Sequence, residues 1–199
     1  MHYRLLTTDD TAVLARIHNE AFHNFFLTDL GPFFLKTYYQ AVIISTRSIA
    51  VCCVNDSNEV IAFATGCELS KGYNRRIVLN NFLGFSLQFI RLIFTKPGAV
   101  IRLLKNFEKN ANPIDDGNYA ELLSIAVLPE YKRLSIGKSM LEVFEREAQQ
   151  RGCISITLTT DFYNNDSVIE FYKKRGYCIF YDFYAYPHRR MYKMIKKIL

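Results

Sequence analysis

The sequence predicts an α/β (α+β) fold, with one mixed central β-sheet flanked by helices and a helical insertion between the third and fourth strands. Segments rich in strand-forming residues alternate with segments of helical apolar spacing along the chain. The order strand, helix, strand after residue 119 requires a crossover, and such a crossover joins parallel strands. With 199 residues, half of them hydrophobic, we expect a single domain over 1–199.

The first 70 residues predict a strand, two helices and a hairpin. Residues 3–6 favour a strand, and Thr8 before two acids predicts the cap of a first helix. Pro32 stands at the first position of a second helical pattern. The runs 48–54 and 60–69 are rich in strand formers and are joined by turn-forming residues, which predicts a β-hairpin.

Residues 71–118 have a different character, and we predict a helical hairpin inserted within the domain. Residues 82–94 are apolar on nearly every face, residues 95–98 interrupt the pattern, and residues 99–110 are amphipathic. The first segment is too short to cross a bilayer, which takes ~20 apolar residues. We therefore expect this segment to pack at an interface or to contact one surface of a membrane.

The last 80 residues predict two strand–helix units and a closing pair of strands. Gly152 and Gly176 each follow a helical pattern that carries cations in its last turn, as is typical of helix ends. The predicted ranges are strand 119–128, helix 134–151, strand 154–160, helix 165–175, and strands 178–186 and 191–199.

Cysteines and histidines argue against a metal site. The five cysteines are odd in number, lie among apolar neighbours and show no CxxC spacing, so we expect buried, reduced thiols. The four histidines show no HExxH spacing. No cationic stretch followed by an apolar segment opens the sequence, and we expect a cytoplasmic protein.

The formal net charge of +6 is concentrated in two regions. Residues 71–117 contain eight basic and three acidic residues, and residues 187–199 contain five basic residues and no acid. This distribution indicates local attraction for an anionic ligand or surface. No aromatic–basic RNA motif or helix-turn-helix pattern is present, so we expect no nucleic-acid partner.

A basic loop between the predicted strand 119–128 and the next helix is the first candidate site. Lys132, Arg133 and Lys138 supply positive charge, while Ser135 and Gly137 are small enough for a ligand to approach the backbone. The unpaired amides of a first helical turn bind anions, with the positive end of the helix dipole behind them. A pyrophosphate fits this description, although basic loops before helices are common.

Two blocks of sequence in this region together resemble the acetyl-CoA-binding core of the GNAT N-acetyltransferases. The family's loop has Arg or Gln, two residues, Gly, one residue, and Gly or Ala, and Lys132, Ser135 and Gly137 stand at these positions. The second block has the spacing of the family's NxxAIxFYxxxGF signature, with Asn165, Val168, Phe171, Tyr172, Gly176 and Tyr177. The resemblance covers about residues 119–180.

The resemblance implies acetyl-CoA as cosubstrate and names the residues that would hold it. Backbone groups of Ile125 and Val127, on either side of Ala126, would pair with pantetheine like an added strand. Asn165 and Phe171 would lie beside the pantetheine arm. The loop residues that would hold the pyrophosphate are Lys132, Arg133, Leu134, Ser135, Ile136, Gly137 and Lys138.

Two residues are candidates for proton transfer. Tyr172 matches the family tyrosine that often protonates the departing thiolate, and a phenol within hydrogen-bond reach suits that role. Glu121 stands where some members carry a catalytic glutamate, and an acid in an otherwise apolar strand is costly unless it is exposed or employed. We therefore predict Tyr172 as general acid and Glu121 as general base.

The acceptor is open at this point. A primary amine of a small molecule is the first prediction. A bulky or anionic acceptor, such as an amino sugar attached to a nucleotide, is suggested by Phe25, Phe26, Tyr73, Arg75 and Arg76, which lie within 23–31 and 71–118. Acetylation of peptide or protein N-termini is an alternative. A third reading is a module that binds acetyl-CoA and contacts a membrane or partner through 71–118.

Overall fold

The structure, a computed structural model, describes residues 1–23, 25–107 and 115–198, without the side chains of residues 106 and 107. The part of the predicted helix 99–110 beyond residue 107 lies outside these ranges, as does Leu199. The described residues form one mixed seven-stranded sheet with helices on both faces, which confirms the predicted fold class.

The sheet has the strand order β1-β2-β3-β4-β5-β7-β6. Every neighbouring pair is antiparallel except β4 and β5, which are parallel and joined by a crossover helix, as expected. Strands β2 and β3 are buried along their whole length and form the centre of the core. The strands are β1 His2–Leu5, β2 Ser48–Val54, β3 Val60–Cys67, β4 Ala120–Val127, β5 Ser155–Asp161, β6 Cys178–Ala185 and β7 Arg189–Lys197.

Helices cover both faces of the sheet. The crossover helix α7 packs against β2, β3 and β4, whereas α1 and α3 pack on the opposite face, where the Tyr39 ring meets Phe63 of β3. The helices are α1 Thr11–Ala21, α2 Phe26–Asp29, α3 Pro32–Ile44, α4 Tyr73–Asn80, α5 Phe82–Thr95, α6 Pro97–Phe107, α7 Ile136–Gln150 and α8 Asp166–Lys173.

The structure corrects three details of the sequence prediction. A 3₁₀ turn over Thr8–Asp10 precedes α1, and its cap is Thr7, whose amide donates to the Asp10 carboxylate at 2.8 Å, so the prediction of Thr8 as the cap was wrong. The helices α2 and α4 were not predicted. Cys178 is exposed rather than buried, although all five cysteines are free.

The insertion contains the predicted pair of helices, α5 and α6, preceded by the additional short helix α4. It packs against α2 and α3, where the Phe85 ring meets Phe34 edge-on at 5.8 Å between ring centroids. Cations secure the contact: Lys96 Nζ donates to the Asp29 carbonyl at 2.7 Å, and Arg102 pairs with the Asp29 carboxylate at 3.1 Å. The insertion is therefore part of the domain's packing.

No single described helix has the length and apolar composition to cross a membrane. Helices α4 and α5, which meet at a bend of 94°, reach that length and composition only when taken together.

Candidate active site

Divergence of the two parallel strands opens the candidate active site. Strands β4 and β5 pair only from Ala120 to Leu122 and from Ile156 to Leu158. Beyond these positions the strands separate, and a cleft of about 420 Å³ lies between Leu122–Ile125 of β4 and Leu158–Asp161 of β5. The separated backbone of β4 can pair with an extended ligand as a strand would.

A bulge in β4 marks the point of divergence. In the pairing of β3 with β4, Thr65 faces Ser124 and Gly66 faces Leu122, so Leu123 is an additional residue on β4. A bulge bends the strand that carries it and leaves its backbone groups outside the ladder. The bulge therefore turns β4 away from β5 at the inner end of the cleft.

Gly66 permits this arrangement. A Cβ atom at residue 66 would overlap the Glu121 carbonyl oxygen and would lie 2.6 Å from the Phe144 ring of α7. The absence of a side chain allows β4 and α7 to approach β3 closely beside the bulge.

The basic loop adopts the backbone conformation expected of an anion site. Arg133 and Ser135 have φ values of 67° and 59°, both in the left-handed region that non-glycine residues seldom occupy. Ser135 immediately precedes α7, and within the described residues no acceptor binds the amides of Ile136, Gly137 and Lys138. Alternating conformations of this kind make a backbone concavity that binds anions.

The surroundings of the loop fit a pyrophosphate group. Residues 132–135 and Lys138 are exposed, so their charges and amides are accessible to a ligand. A Cβ atom at Gly137 would meet only Val127, at 3.8 Å, which places the start of α7 beside the end of β4. The loop therefore lies close to the end of the strand that lines the cleft, so one molecule with a pyrophosphate and an extended arm could contact both.

Tyr172 of α8 lines the cleft. Burial raises the pKa of its hydroxyl to about 12, although the nearby Arg175 acts in the opposite direction. The phenol therefore keeps its proton throughout the physiological pH range and can donate it to an anion formed in the cleft. The tyrosine ring packs edge-on against Phe171 and Tyr177.

The other predicted cofactor residues take different positions. Asn165 lines the cleft just before α8 and donates from Nδ2 to Thr160 Oγ1 at 2.6 Å and to the Asp161 carbonyl at 3.1 Å. Ile125 lines the cleft, whereas the side chain of Ala126 is buried in the core. Phe171 does not line the cleft but packs behind Tyr172, with the Arg175 guanidinium 3.6 Å from its ring centroid.

Glu121 lies on β4 outside the lining of the cleft. Its carboxylate pairs with Lys193 of β7 at 2.8 Å and accepts a hydrogen bond from the Ser70 hydroxyl. The pair is largely buried, with the two side chains 14% and 8% exposed. Since a buried carboxylate is costly without a partner, Lys193 is what allows an acid at this position of the strand.

Sequence reasoning missed several residues of the cleft. His18 of α1 is buried in the cleft wall, where its Nδ1 hydrogen-bonds the Tyr39 hydroxyl at 2.6 Å while its Nε2 has no partner among the described residues. Burial lowers the pKa of His18 to about 4, so the imidazole is neutral at physiological pH. The sequence shows only a lone histidine in an amphipathic helix, and this pattern does not predict a place in the wall of the cleft.

An ion pair and an aromatic ring meet at the cleft from distant parts of the chain. Asp161 and Arg189 form a bidentate pair at 2.5 and 2.6 Å, and the Arg189 guanidinium lies 4.5 Å from the Phe25 ring centroid. All three residues line the cleft. Their contact joins the loop before α2 to β5 and β7, and only the fold brings these elements together.

Among the residues that the structure describes, no group of three or more His, Cys, Asp or Glu side chains is placed to hold a metal ion.

Comparisons with known proteins agree with this geometry. Residues 14–177 match the model of the Acetyltransferase (GNAT) family. No curated protein matches the chain. Acetyl-CoA is the cosubstrate of this family.

Solved structures share the fold at low sequence identity. The ribosomal-protein-S18-alanine N-acetyltransferase from Escherichia coli has 18% identity and a TM-score of 0.62, and the match covers 99% of this chain and 93% of that one. PaiA N-acetyltransferase from Thermoplasma acidophilum, in complex with coenzyme A, has 16% identity and a TM-score of 0.62 over 98% of both chains. Aminoglycoside 6'-acetyltransferase type Ii has 17% identity and a TM-score of 0.61, with 100% of this chain and 98% of that one covered.

The family match extends over most of the chain, and the diverging strands, the loop before α7 and the tyrosine of α8 agree with it. The chain therefore belongs to the GNAT family of acetyltransferases, which are acyltransferases that use acetyl-CoA and act on an amine.

Proposed function

We propose that the protein transfers the acetyl group of acetyl-CoA to the primary amine of a small molecule. The observation that carries this proposal is the cleft between β4 and β5, which has Tyr172 among its lining residues and the basic loop before α7 beside the end of β4. Acetyl-CoA supplies the activated acetyl thioester, and the chain supplies the binding groups and the proton transfers.

Tyr172 acts as the general acid in this proposal. Attack of a neutral amine on the thioester expels a thiolate, which is a better leaving group when it receives a proton as it departs. The phenol of Tyr172, which lines the cleft, is protonated at neutral pH, donates its proton to the sulfur as the C–S bond breaks, and regains a proton from solvent afterwards. No covalent intermediate with the protein is needed.

Glu121 acts as the general base, through water rather than by direct contact. An amine is mainly protonated at neutral pH and must lose a proton before or during attack. Glu121 lies on β4 two residues before the bulged Leu123, but it does not line the cleft and is paired with Lys193. A water chain from the cleft to this carboxylate is the route that we propose for the proton.

A contact between two residues that line the cleft favours a small acceptor over a peptide. Phe25, before α2, and Arg189, of β7, contact one another, and Asp161 holds Arg189 in place. A peptide N-terminus would need an open groove for the residues that follow it. Acetylation of protein or peptide N-termini is therefore our second candidate.

An amino sugar nucleotide receives less support from the arrangement. Arg75 and Arg76, which suggested an anionic acceptor, do not line the cleft, and Tyr73 is buried with its hydroxyl bonded to Ser48 at 2.6 Å. Arg189 does line the cleft, but Asp161 already neutralises it. We therefore propose a small primary amine as the acceptor and include the amino sugar as one compound of the panel below.

A panel of acceptors tests the proposal by the release of free thiol from acetyl-CoA. Alkyl and aryl amines, aminoglycosides, nucleotide amino sugars, polyamines and short peptides are supplied to the full-length protein, and the acetylated product is verified by mass spectrometry. We expect turnover with at least one small primary amine and none with peptides. Turnover of peptides alone would contradict the small-molecule acceptor, and binding of acetyl-CoA without turnover of any amine would favour the binding module.

We also propose that the insertion rests on an anionic lipid bilayer. Leu83, Leu87, Ile90 and Phe94 repeat along one face of α5 and are 55 to 83% exposed. The surrounding segment 71–107 contains seven basic residues and no acid. Exposed apolar side chains within a cationic surface are typical of segments that lie in a membrane interface.

The charge of this face disfavours a second copy of the chain as its partner. In a two-fold symmetric dimer the same patch meets itself, which would bring together two copies of a segment that has seven cations and no acid of its own. Among the described residues, Arg102 alone of these cations forms an ion pair, with Asp29. Anionic headgroups supply the opposite charge. A bilayer therefore buries the apolar side chains in its acyl region and pairs the cations of the segment with its headgroups.

Co-sedimentation with vesicles tests this contact. We expect the protein to pellet with vesicles of phosphatidylcholine and phosphatidylglycerol. The affinity of the double variant Leu83→Glu/Leu87→Glu for these vesicles should be at least about tenfold lower, because it buries less apolar area and adds two anions. Leu5→Glu/Ile154→Glu, at two exposed apolar residues outside the insertion, adds the same charge as the matched control and should bind as the wild type does. Equal pelleting of the double variant, or a dimer in light scattering without vesicle binding, would contradict the proposal.

A further inference from the structure

A second cavity lies between the insertion and helices α2 and α3. Its volume is about 710 Å³, in the range of small-molecule sites. Side chains of α4, α5 and α6 form one wall, with Ile77, Phe85 and Phe89 among them, and Phe34 and Tyr38 of α3 form the other. We call it the insertion cavity.

The insertion cavity is apolar and carries no charged side chain among its described lining residues. Its polar side chains are Asn74, Ser86 and Tyr38. A charged ligand would lose its hydration there without gaining a partner of opposite charge, whereas a hydrocarbon would be stabilised by leaving water. The lining therefore selects for an aliphatic or aromatic group.

The insertion cavity adjoins the active-site cleft. Phe26, Leu27 and Leu123 line both spaces. Leu123 is the bulged residue at the inner end of the divergence of β4 and β5, which is where the thioester must lie if the extended arm follows β4 inward. The two spaces are therefore neighbours, and a molecule in the insertion cavity would have to pass the side chains of Phe26, Leu27 and Leu123 to present one end at the reacting atoms.

The proposed proton acceptor acts electrostatically on a residue that lines the insertion cavity. Burial raises the pKa of Tyr38, and Glu121 is among the nearby groups that raise it further. Tyr38 lines the cavity, so the Glu121 carboxylate lies within electrostatic range of its wall.

We infer that the acceptor is an amphiphilic primary amine whose hydrocarbon or aromatic body occupies the insertion cavity while its amino group reaches the cleft at Leu123. This inference rests on the proposed transfer to a small amine and adds the chemical class of the acceptor. Phe82, Ile90 and Leu104 line the cavity and are also more than half exposed, so the cavity opens on the apolar surface of the insertion. An amine dissolved in a lipid layer would have direct access to it.

The kinetic test compares primary amines of increasing chain length, from ethylamine to octylamine. We expect kcat/KM to rise about fourfold for each methylene that the cavity buries, and to stop rising when the cavity is full. The amine 2-(2-methoxyethoxy)ethylamine is similar in length to octylamine but has ether oxygens in its chain, so its kcat/KM should remain close to that of ethylamine. Equal kcat/KM for all these amines would overturn the inference.

A matched pair of variants locates the effect. Val78 lines the insertion cavity, whereas the next residue, Leu79, is exposed and does not line it. Val78→Trp should lower the ratio of kcat/KM for octylamine to kcat/KM for ethylamine by about tenfold or more, because the indole fills space that the octyl chain needs. Its kcat/KM for ethylamine should stay within about twofold of the wild-type value. Leu79→Trp should behave as the wild type. An identical response of the two variants would overturn the inference.

Ser86→Phe is the second filling variant, for use if Val78→Trp does not fold, as judged by its thermal transition. Ser86 lines the same cavity from α5, and the same loss of the octylamine advantage is expected.

The donor is varied as well, because the cavity could instead hold the acyl chain of a longer acyl-CoA. Acetyl-, butyryl- and hexanoyl-CoA are compared with ethylamine as acceptor, and we expect kcat/KM to fall with acyl length. A rise with acyl length that Val78→Trp abolishes would assign the cavity to the donor and overturn the inference.

A binding measurement separates failure of this inference from failure of the proposed function. Octylamine is titrated into the protein in the presence of coenzyme A and followed by calorimetry. Binding to the wild type and Leu79→Trp that is lost in Val78→Trp supports the cavity as an amine site even if no amine is acetylated, which would count against the transferase proposal alone. No binding to the wild type would overturn the inference whatever the turnover.

Discussion

Replacement of Tyr172 by Phe is expected to lower kcat by about a hundredfold or more, since that is the lower range of the contribution of a positioned general acid. The aromatic ring stays in place against Phe171 and Tyr177, so only the hydroxyl is removed. The affinity for acetyl-CoA, measured by calorimetry, should change by less than about threefold, because the loop before α7 provides the anion site. Free-thiol release with the best amine of the panel measures the loss of turnover.

Tyr177→Phe is the matched control for this prediction. Tyr177 is a buried tyrosine whose ring packs on Tyr172, but it does not line the cleft. We expect it to keep most of the wild-type turnover. A Tyr172→Phe enzyme within about twofold of the wild type, or an equal loss in both variants, would exclude Tyr172 as the group that protonates the thiolate.

The second prediction concerns Gly66 and the stability of the whole domain. Gly66→Ala is expected to lower the free energy of unfolding by about 3 kcal/mol or more, because its Cβ would overlap the Glu121 carbonyl oxygen and press on the Phe144 ring. Neither neighbour can move easily, since one is strand backbone and the other is a fully buried ring. For a chain of this size that corresponds to a fall of about 6–12 °C in Tm, measured by calorimetry or circular dichroism.

Gly98→Ala is the control for a glycine without steric constraint. Nothing lies within 4 Å of a Cβ at residue 98, and the residue is in the first turn of α6. Alanine is the better helix former, so we expect a Tm equal to or slightly above that of the wild type. If Gly66→Ala retains the wild-type Tm, the close approach of β4 and α7 to β3 is not the constraint that we describe.

The sequence predicted most elements of the fold because their local signals agree. Strand-forming runs flank the turn residues between β2 and β3, and Gly152 and Gly176 stand directly after the last turns of the helices that precede β5 and β6. The cap of the first helical turn was displaced by one residue because Thr7 and Thr8 are equivalent by composition. Only Asp10, which Arg4 holds at 2.7 Å, decides that Thr7 is the cap.

The candidate site was predictable where it depends on contiguous sequence. The loop 132–138 and the segment from Asn165 to Tyr172 are short local patterns, and the structure places the loop at the start of α7 and Tyr172 in the cleft. The roles assigned to these residues stay predictions, namely the loop as pyrophosphate site, Tyr172 as general acid, Glu121 as general base and Phe171 as a cofactor contact. The structure adds that Glu121 is paired with Lys193 and that Phe171 lies behind Tyr172.

The sequence by itself determined the family and located the basic loop before α7 and the tyrosine of α8, because each depends on residues close together in the chain. Only the tertiary structure decided the bulge at Leu123, the contact of Asp161 and Arg189 with Phe25, and the insertion cavity. These features arise where segments distant in sequence meet, and their geometry depends on packing of the sheet against α3 and the insertion. A pattern within one segment carries no information about that packing.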